Sequence, residues 1–143
     1  MPRVLDLLSE KGNEVWSIKP SQSVYQAIEM MSLKQVGALT VVDDGGVLGG
    51  GVSERDYARK VILQGRSSQE TPVSEIMTRE VITTHESNTV EECMAIMNES
   101  RVRHLPVMND DQLVGMISVG DTVKAILKEQ EFKIEQLERY VRG

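Results

Sequence analysis

The chain contains an internal repeat, because segments of its first half return about 65 residues later. Residues 52–56 (VSERD) return as residues 117–121 (ISVGD) at a separation of 65, and Ser23 with Val24 returns as Thr89 with Val90 at a separation of 66. A solenoid needs several short units stacked in a row, which two long units do not provide. The repeat predicts instead a pseudo-symmetric pair of units that share one core and have clefts between them.

Composition limits the class of protein. A length of 143 residues is about one ordinary domain. The net charge of −6 disfavours a nucleic-acid partner, and an aromatic content of 3% leaves little material for base stacking. The single cysteine, Cys93, allows no internal disulfide, and no apolar run approaches the length of a membrane span. We therefore expect a globular, cytoplasmic protein with no nucleic-acid and no membrane partner.

Each copy of the repeat predicts the same order of elements, β-α-β-β-α. In the first copy, a short strand at 15–18 precedes a helix that Ser23 caps, and a turn at 43–46 joins strands at 38–42 and 47–52. In the second copy, the short strand falls at 81–83, Thr89 caps the helix, and the paired strands fall at 105–108 and 113–117.

One such unit would leave a sheet face uncovered, so we predict two units packed sheet to sheet. The predicted class is α/β (α+β), with two β-α-β-β-α repeats related by pseudo-two-fold symmetry and an extended C-terminal helix. We place the first repeat at residues 1–66, the second at 67–127 and a helical extension at 128–143.

The C-terminal extension carries apolar residues at helical spacing. They are Val123, Ile126, Leu127, Ile134, Leu137 and Val141. Two interpretations stay open at this point. The helix could run beyond the core with an exposed apolar stripe that needs a partner, or it could fold back on the N-terminal segment of its own chain.

Taken together, these segments resemble a tandem pair of CBS domains, also called a Bateman module, over residues 4–127. The resemblance is carried by residues 17–24, 37–43 and 51–56 in the first copy and by residues 83–90, 103–108 and 115–121 in the second. It implies a stand-alone signal-transduction protein that binds adenine nucleotides in clefts between the repeats. It also implies homodimers of such modules and no catalytic residues.

The repeated Ser-x-x-Asp pattern suits a nucleoside. A chain that passes from strand to helix has unpaired N–H groups and the positive end of the helix dipole, and a carboxylate can accept both hydroxyls of a ribose. The resemblance implies that Asp56 and Asp121 accept the ribose and that Ser53 and Ser118 lie near the sugar or phosphate. The alternative is that both pairs simply cap helices.

Candidates for phosphate contact are basic. Arg55 lies inside the first Ser-x-x-Asp segment, and Arg103 with His104 matches the phosphate-contacting pair of the family. For Arg101, contact with phosphate and a solvated loop that pairs with acidic residues of the preceding helix are equally open. Neither histidine forms a metal site with Cys93 at a familiar spacing, so we expect no metal.

Candidates for adenine contact follow from the resemblance, which implies an apolar slot formed by the first strand and by the strand after the long helix. They are Ser17, Ile18, Gly37, Ala38 and Leu39 in the first copy and Thr83, Thr84, His104, Leu105 and Pro106 in the second. The alternative for Ile18, Leu39 and Leu105 is ordinary core packing.

The two copies are not equivalent. Gly120 occupies the place of Arg55, and Gly37 with Ala38 occupies the place of Arg103 with His104. We therefore expect two dissimilar nucleotide sites, with AMP as the first candidate ligand and ADP, ATP or the dinucleotide NAD as others. The function that we predict is a regulatory sensor that acts on a separate effector. The alternative is a structural module that binds no ligand and acts through dimerisation and the C-terminal helix.

Overall fold

The computed structural model describes residues 2–142 and divides into two compact units. The first unit comprises residues 15–81 and 111–113, and the second comprises the segments before residue 15, 82–110 and after residue 113. In chain order the elements are α1 (Val4–Lys11), β1 (Ser17–Ile18), α2 (Val24–Lys34), β2 (Ala38–Val42), β3 (Leu48–Ser53), α3 (Glu54–Tyr57), β4 (Thr84–His85), α4 (Val90–Ser100), β5 (His104–Asn109), β6 (Gln112–Ser118) and α5 (Val119–Arg142). A π-helical turn at Ala58–Ile62 continues α3, and a 3-10 turn lies at Val73–Glu75.

Each repeat forms one three-stranded sheet, which confirms the predicted β-α-β-β-α order. In the first sheet the strand order is β1-β2-β3, with β1 parallel and β3 antiparallel to β2. In the second sheet the order is β4-β5-β6, with β4 parallel to β5. The mixed α/β class is therefore confirmed, whereas the repeat bounds of 1–66 and 67–127 stay a prediction.

The long helix of each repeat begins at the residue that the sequence predicts. The Ser23 hydroxyl accepts a hydrogen bond from the backbone N–H of Gln26, and the Gln26 side chain accepts one from the backbone N–H of Ser23. Thr89 and Glu92 make the same reciprocal pair at the start of α4. Each of these reciprocal pairs is a capping box, which satisfies two backbone N–H groups that the helix itself leaves unpaired.

The short strand of the second repeat lies later than predicted. The apolar residues at 81–83 predict a strand there, but the strand is Thr84–His85, and Ile82 is exposed. Parallel pairing of Thr84 with Val107 fixes these bounds. A residue belongs to a strand only where its backbone pairs with a neighbouring strand. The local pattern of apolar residues does not show where that pairing begins.

Each unit has its own apolar core. Ile18, Val24 and Leu39 lie in the core of the first unit. The second core is assembled from distant parts of the sequence, because α1 packs there through Val4 and Leu8. An added Cβ at Gly115 would lie 2.7 Å from a methyl carbon of Leu8, so the absence of a side chain at Gly115 lets α1 approach β6.

The predicted C-terminal extension is confirmed as helix, because α5 is continuous over Val119–Arg142. Each of the two interpretations of the helix surface holds for a different part of α5. Its Lys128 ammonium lies 2.8 Å from the Glu10 carboxylate of α1, so the helix contacts the N-terminal segment. Its apolar stripe is nevertheless exposed at Ile134, Leu137 and Val141. Among the described residues, no helix is both long and apolar enough to cross a membrane.

Candidate functional site

In the first unit, the Ser-x-x-Asp segment forms the junction between β3 and α3. Asp56 Oδ2 accepts hydrogen bonds from the Ser53 backbone N–H at 3.0 Å and from the Ser53 hydroxyl at 3.1 Å. The Ser53 hydroxyl in turn accepts the Asp56 N–H at 3.2 Å. Ser53 and Asp56 therefore cap α3, and the contact of Asp56 with a ribose stays a prediction. Asp56 Oδ1 lies 3.0 Å from the ammonium of Lys60, which also donates to the Ile76 carbonyl.

The second unit repeats this junction between β6 and α5. Asp121 Oδ2 accepts the Ser118 N–H at 2.8 Å, and the Ser118 hydroxyl accepts the Asp121 N–H at 3.1 Å. The lysine that reaches this carboxylate comes from a different element. Lys11, the last residue of α1, places its ammonium 2.6 Å from Asp121 Oδ2 and 2.8 Å from the Met116 carbonyl oxygen.

Lys60 and Lys11 are not among the site residues predicted from the sequence, for different reasons. Lys60 follows Asp56 by four residues, a spacing at which helix side chains meet, so the sequence held a signal for it. Lys11 lies 110 residues before Asp121, and only the packing of α1 in the second unit brings the two together. No local pattern could have predicted that pair.

In each unit, backbone hydrogen bonds join the residues at the start of the middle strand, β2 or β5, to the Ser-x-x-Asp junction of that unit. The Gly37 carbonyl accepts the Glu54 N–H at 3.0 Å, and Ala38 pairs with Ser53. In the second unit the Arg103 carbonyl accepts the Val119 N–H at 3.0 Å. The residues predicted for phosphate in the second repeat therefore lie beside its Ser-x-x-Asp segment.

The candidate residues differ in how accessible they are. Gly37, Ala38, Arg55, Arg103 and His104 are exposed; Ser17, Ser53, Asp56, Thr83, Ser118 and Asp121 are half-buried; Ile18, Leu39, Thr84, Leu105 and Pro106 are buried. The Ser17 hydroxyl lies 2.5 Å from that of Thr40, and the Thr84 hydroxyl lies 3.2 Å from Cys93 Sγ. The core-packing interpretation of Ile18, Leu39 and Leu105 holds, because all three lie in the two apolar cores.

Burial and neighbouring charges shift two pKa values at the second junction. Partial burial raises the pKa of Asp121, but the Lys11 ammonium and the hydrogen bonds from Ser118 outweigh it and leave that pKa below its usual value. The pKa of His104 is lowered, mainly because surrounding protein removes water from the imidazolium and also because Lys11 and Arg103 are positive. Lys11 thus pairs with Asp121, and His104 lies close enough to Lys11, Asp121 and Arg103 for their charges to act on its pKa.

The first junction has a smaller basic set. Lys60 pairs with Asp56, and Arg55 is exposed on α3. Gly37 and Ala38 bring no charge where the second unit has Arg103 and His104. Within the described residues, no group of three or more His, Cys, Asp or Glu side chains is placed to hold a metal ion.

Known proteins are similar to this chain along most of its length. The mitochondrial CBS domain-containing protein CBSX3 of Arabidopsis thaliana is 40% identical over 139 residues, which cover 94% of this chain and 67% of that protein. A crystal structure of a CBS domain, 44% identical, superposes with a TM-score of 0.80 and covers 89% of this chain and 99% of its own.

Two further solved structures contain ligands. CBSX2 in complex with AMP is 28% identical, has a TM-score of 0.77 and covers 91% of this chain and 99% of its own. The CBS domain pair of protein MJ0100, in complex with 5′-methylthioadenosine and S-adenosyl-L-methionine, is 25% identical, with a TM-score of 0.74 and coverage of 90% and 98%. The family model for the CBS domain matches residues 6–62 and again residues 73–128. With two matches in tandem over most of its length, this chain belongs to the CBS domain family.

Proposed function

We propose that this chain is a regulatory sensor module that binds an adenine nucleotide, with AMP as the first candidate and ADP, ATP or NAD as others. The observation that carries the proposal is the second junction, where the Asp121 carboxylate pairs with Lys11 at a helix start and the charges of Lys11, Asp121 and Arg103 act on His104. Related CBS pairs in complex with AMP, 5′-methylthioadenosine and S-adenosylmethionine support the choice of an adenosine ligand.

In the proposed second site, Asp121 accepts the ribose hydroxyls, and Arg103 with His104 faces the phosphate. An ionised carboxylate makes strong charge-assisted hydrogen bonds to hydroxyl donors. Lys11 adds positive charge beside Asp121 and His104. Leu105 and Pro106, with Thr83 and Thr84, supply the adjoining strand ends for the adenine, although the burial of Leu105, Pro106 and Thr84 favours backbone contact for these three residues.

The first site is proposed to bind more weakly or to take a different nucleotide. Asp56 would accept the ribose with Ser53 beside it, and Arg55 would face the phosphate. Ser17, Ile18 and the segment 37–39 would adjoin the adenine. Because no second basic pair stands at residues 37 and 38, fewer charges oppose the phosphate there.

A route for coupling begins at Asp121. A ribose that hydrogen-bonds to this carboxylate shares it with Lys11, which ends α1. Its neighbour Glu10 holds Lys128 of α5 at 2.8 Å. We propose that nucleotide binding alters these contacts, and through them the packing or geometry of a homodimer. A ligand can drive such a change only by its difference in affinity for two arrangements.

The proposed role is regulatory and not catalytic, and it requires a separate effector protein. We place it in the cytoplasm, with no nucleic-acid or membrane partner. The similar Arabidopsis protein is named as mitochondrial, so fractionation of cells that express the tagged chain should test the compartment.

A thermal-shift panel tests the function. AMP, ADP, ATP, NAD and S-adenosylmethionine are each added to the purified full chain at rising concentration. At a hundred times the Kd, a ligand stabilises the folded state by about 2.7 kcal/mol, or roughly 5–10 °C for a protein of this size. A saturable rise with an adenine nucleotide supports the sensor. A flat response to all five ligands would refute it and favour the structural module, for which the exposed stripe of α5 is the relevant observation.

A further inference from the structure

The second half of α5 contains a heptad repeat that the nucleotide site does not use. Residues 123, 127, 130, 134, 137 and 141 follow one another at intervals alternating between four and three, which is the spacing of the d and a positions of a coiled coil, and all of them except Gln130 are apolar. Leu127, Ile134 and Val141 occupy the a positions, and Val123, Gln130 and Leu137 occupy the d positions. We call the surface formed by residues 127–141 at these positions the a/d stripe.

The a/d stripe faces away from the body of its own unit. The exposed fractions of Ile134, Leu137 and Val141 are 54%, 64% and 82%. Other faces of the same helix contact the unit, because Ala125 packs against its core and Lys128 pairs with Glu10. Within the part of the chain that the structure describes, no element covers the stripe.

The charges beside the a/d stripe select its partner and orientation. Lys133 occupies a g position, and Glu138 occupies the e position of the next heptad. In a parallel pair these positions face each other, so Lys133 of each copy meets Glu138 of the other. In an antiparallel pair, g faces g and e faces e, so the register that sets Lys133 against its own copy also sets Glu131 against Glu131. Lys133 can make this exchange at little cost, because its side chain is 59% exposed and its contact with the half-buried Glu129 is long, at 3.4 Å.

We propose that two copies of this chain associate through residues 127–141 as a parallel two-stranded coiled coil. Branched Ile134 and Val141 at a, with Leu137 at d, are the residues that favour two parallel strands. Gln130 at a d position would fix the register, since a shifted pair would set its amide against an apolar side chain. The stripe is only about 21 Å long. The helix is already formed, however, and is anchored by Ile126, which packs against the core, so pairing carries no cost of helix nucleation.

Cysteine cross-linking tests the orientation. Leu137→Cys places two thiols at the same level of a parallel pair, within reach of a disulfide. Arg139→Cys is the matched control, because it lies on the opposite side of the same helix turn. The native Cys93 is buried and leaves the background low. Under mild oxidation we expect Leu137→Cys to form covalent dimers at least ten times faster, since pairing raises the effective thiol concentration. Equal rates would overturn the proposal.

A charge exchange provides a second test, measured as the dimer fraction by sedimentation. Lys133→Glu should reduce this fraction, and the double change Lys133→Glu with Glu138→Lys should restore it. A double variant no better than the single one would contradict the parallel pair. Both substitutions are on an exposed surface, so circular dichroism should show folded protein for the single and the double variant. The outcome is independent of nucleotide binding, which the thermal-shift panel measures on its own.

Discussion

Lys11 is the residue that gives the second junction its electrostatic character. It reaches Asp121 and the Met116 carbonyl with one ammonium group, and its charge acts on His104. A nucleotide that uses Asp121 must therefore share it with a lysine. The same lysine adds to the positive potential that a phosphate would meet. Lys11 and Asp121, which lie 110 positions apart in the sequence, therefore form one ion pair at this junction.

Lys11→Met should raise the pKa of His104. The substitution removes a positive charge that disfavours the imidazolium, so the pKa should move up toward its usual value of about 6.5. In the parent, the folded state binds the His104 proton more weakly than the unfolded state does. The free energy of unfolding therefore falls as the pH drops through about 6.5, and in the variant it should fall less. NMR titration of the imidazole measures the shift. Lys124→Met removes an exposed lysine of α5 and should leave the titration near that of the parent; equal curves for all three proteins would contradict the assignment.

Arg103→Gln should weaken AMP binding by about 5- to 10-fold, because hydrogen bonds to a charged group are lost. Adenosine, which has no phosphate, should bind with nearly unchanged affinity. Arg139→Gln is the control, since Arg139 is exposed near the C-terminal end of α5 and is not among the candidate site residues. Calorimetry with both ligands decides. An equal loss for AMP and adenosine would show that Arg103 does not face the phosphate.

At the scale of elements, helix starts were predictable and long-range pairings were not. Ser23 and Thr89 cap their helices by contacts within three residues, which a sequence displays directly. The bounds of β4 depend on its pairing with β5, and the position of α1 depends on the space above Gly115. The sequence likewise suggested Ser53, Asp56, Ser118 and Asp121 as neighbours in pairs, while Lys11 required the tertiary fold.

The glycines of β3 provide a test of strand packing. An added Cβ at Gly50 would lie 2.5 Å from the Thr78 carbonyl oxygen, which Gly51 needs as a hydrogen-bond acceptor. Gly50→Ala should lower the free energy of unfolding by about 1–3 kcal/mol, the usual cost of overpacking. Gly49→Ala is the matched control, since its Cβ would meet only ordinary contact at 3.8 Å. Urea unfolding of both variants measures the difference, and equal stability would show that this backbone contact is not tight.

At the scale of the whole molecule, the chain carries two similar folds with unequal chemistry. Both units cap a helix with a Ser-x-x-Asp segment and give the aspartate a lysine. In the second unit, Arg103 and His104 also lie beside this segment, where the first unit has Gly37 and Ala38. The duplication, the element order and this inequality could all be predicted from the sequence. Which groups compete for each carboxylate could not, because those contacts arise from packing.

Calorimetric titration of AMP into the parent, Asp121→Asn and Asp56→Asn tests the central claim most directly. Asparagine keeps an oxygen that can cap the helix but loses the charge, so Asp121→Asn should bind about 10- to 100-fold more weakly. Asp56→Asn should affect only a weaker or separate phase. Asp110→Asn, an equal change in the turn after β5, should bind like the parent. Saturable binding by the parent with this order of losses is the predicted result. Undiminished binding by Asp121→Asn, or no binding by the parent, would contradict the account.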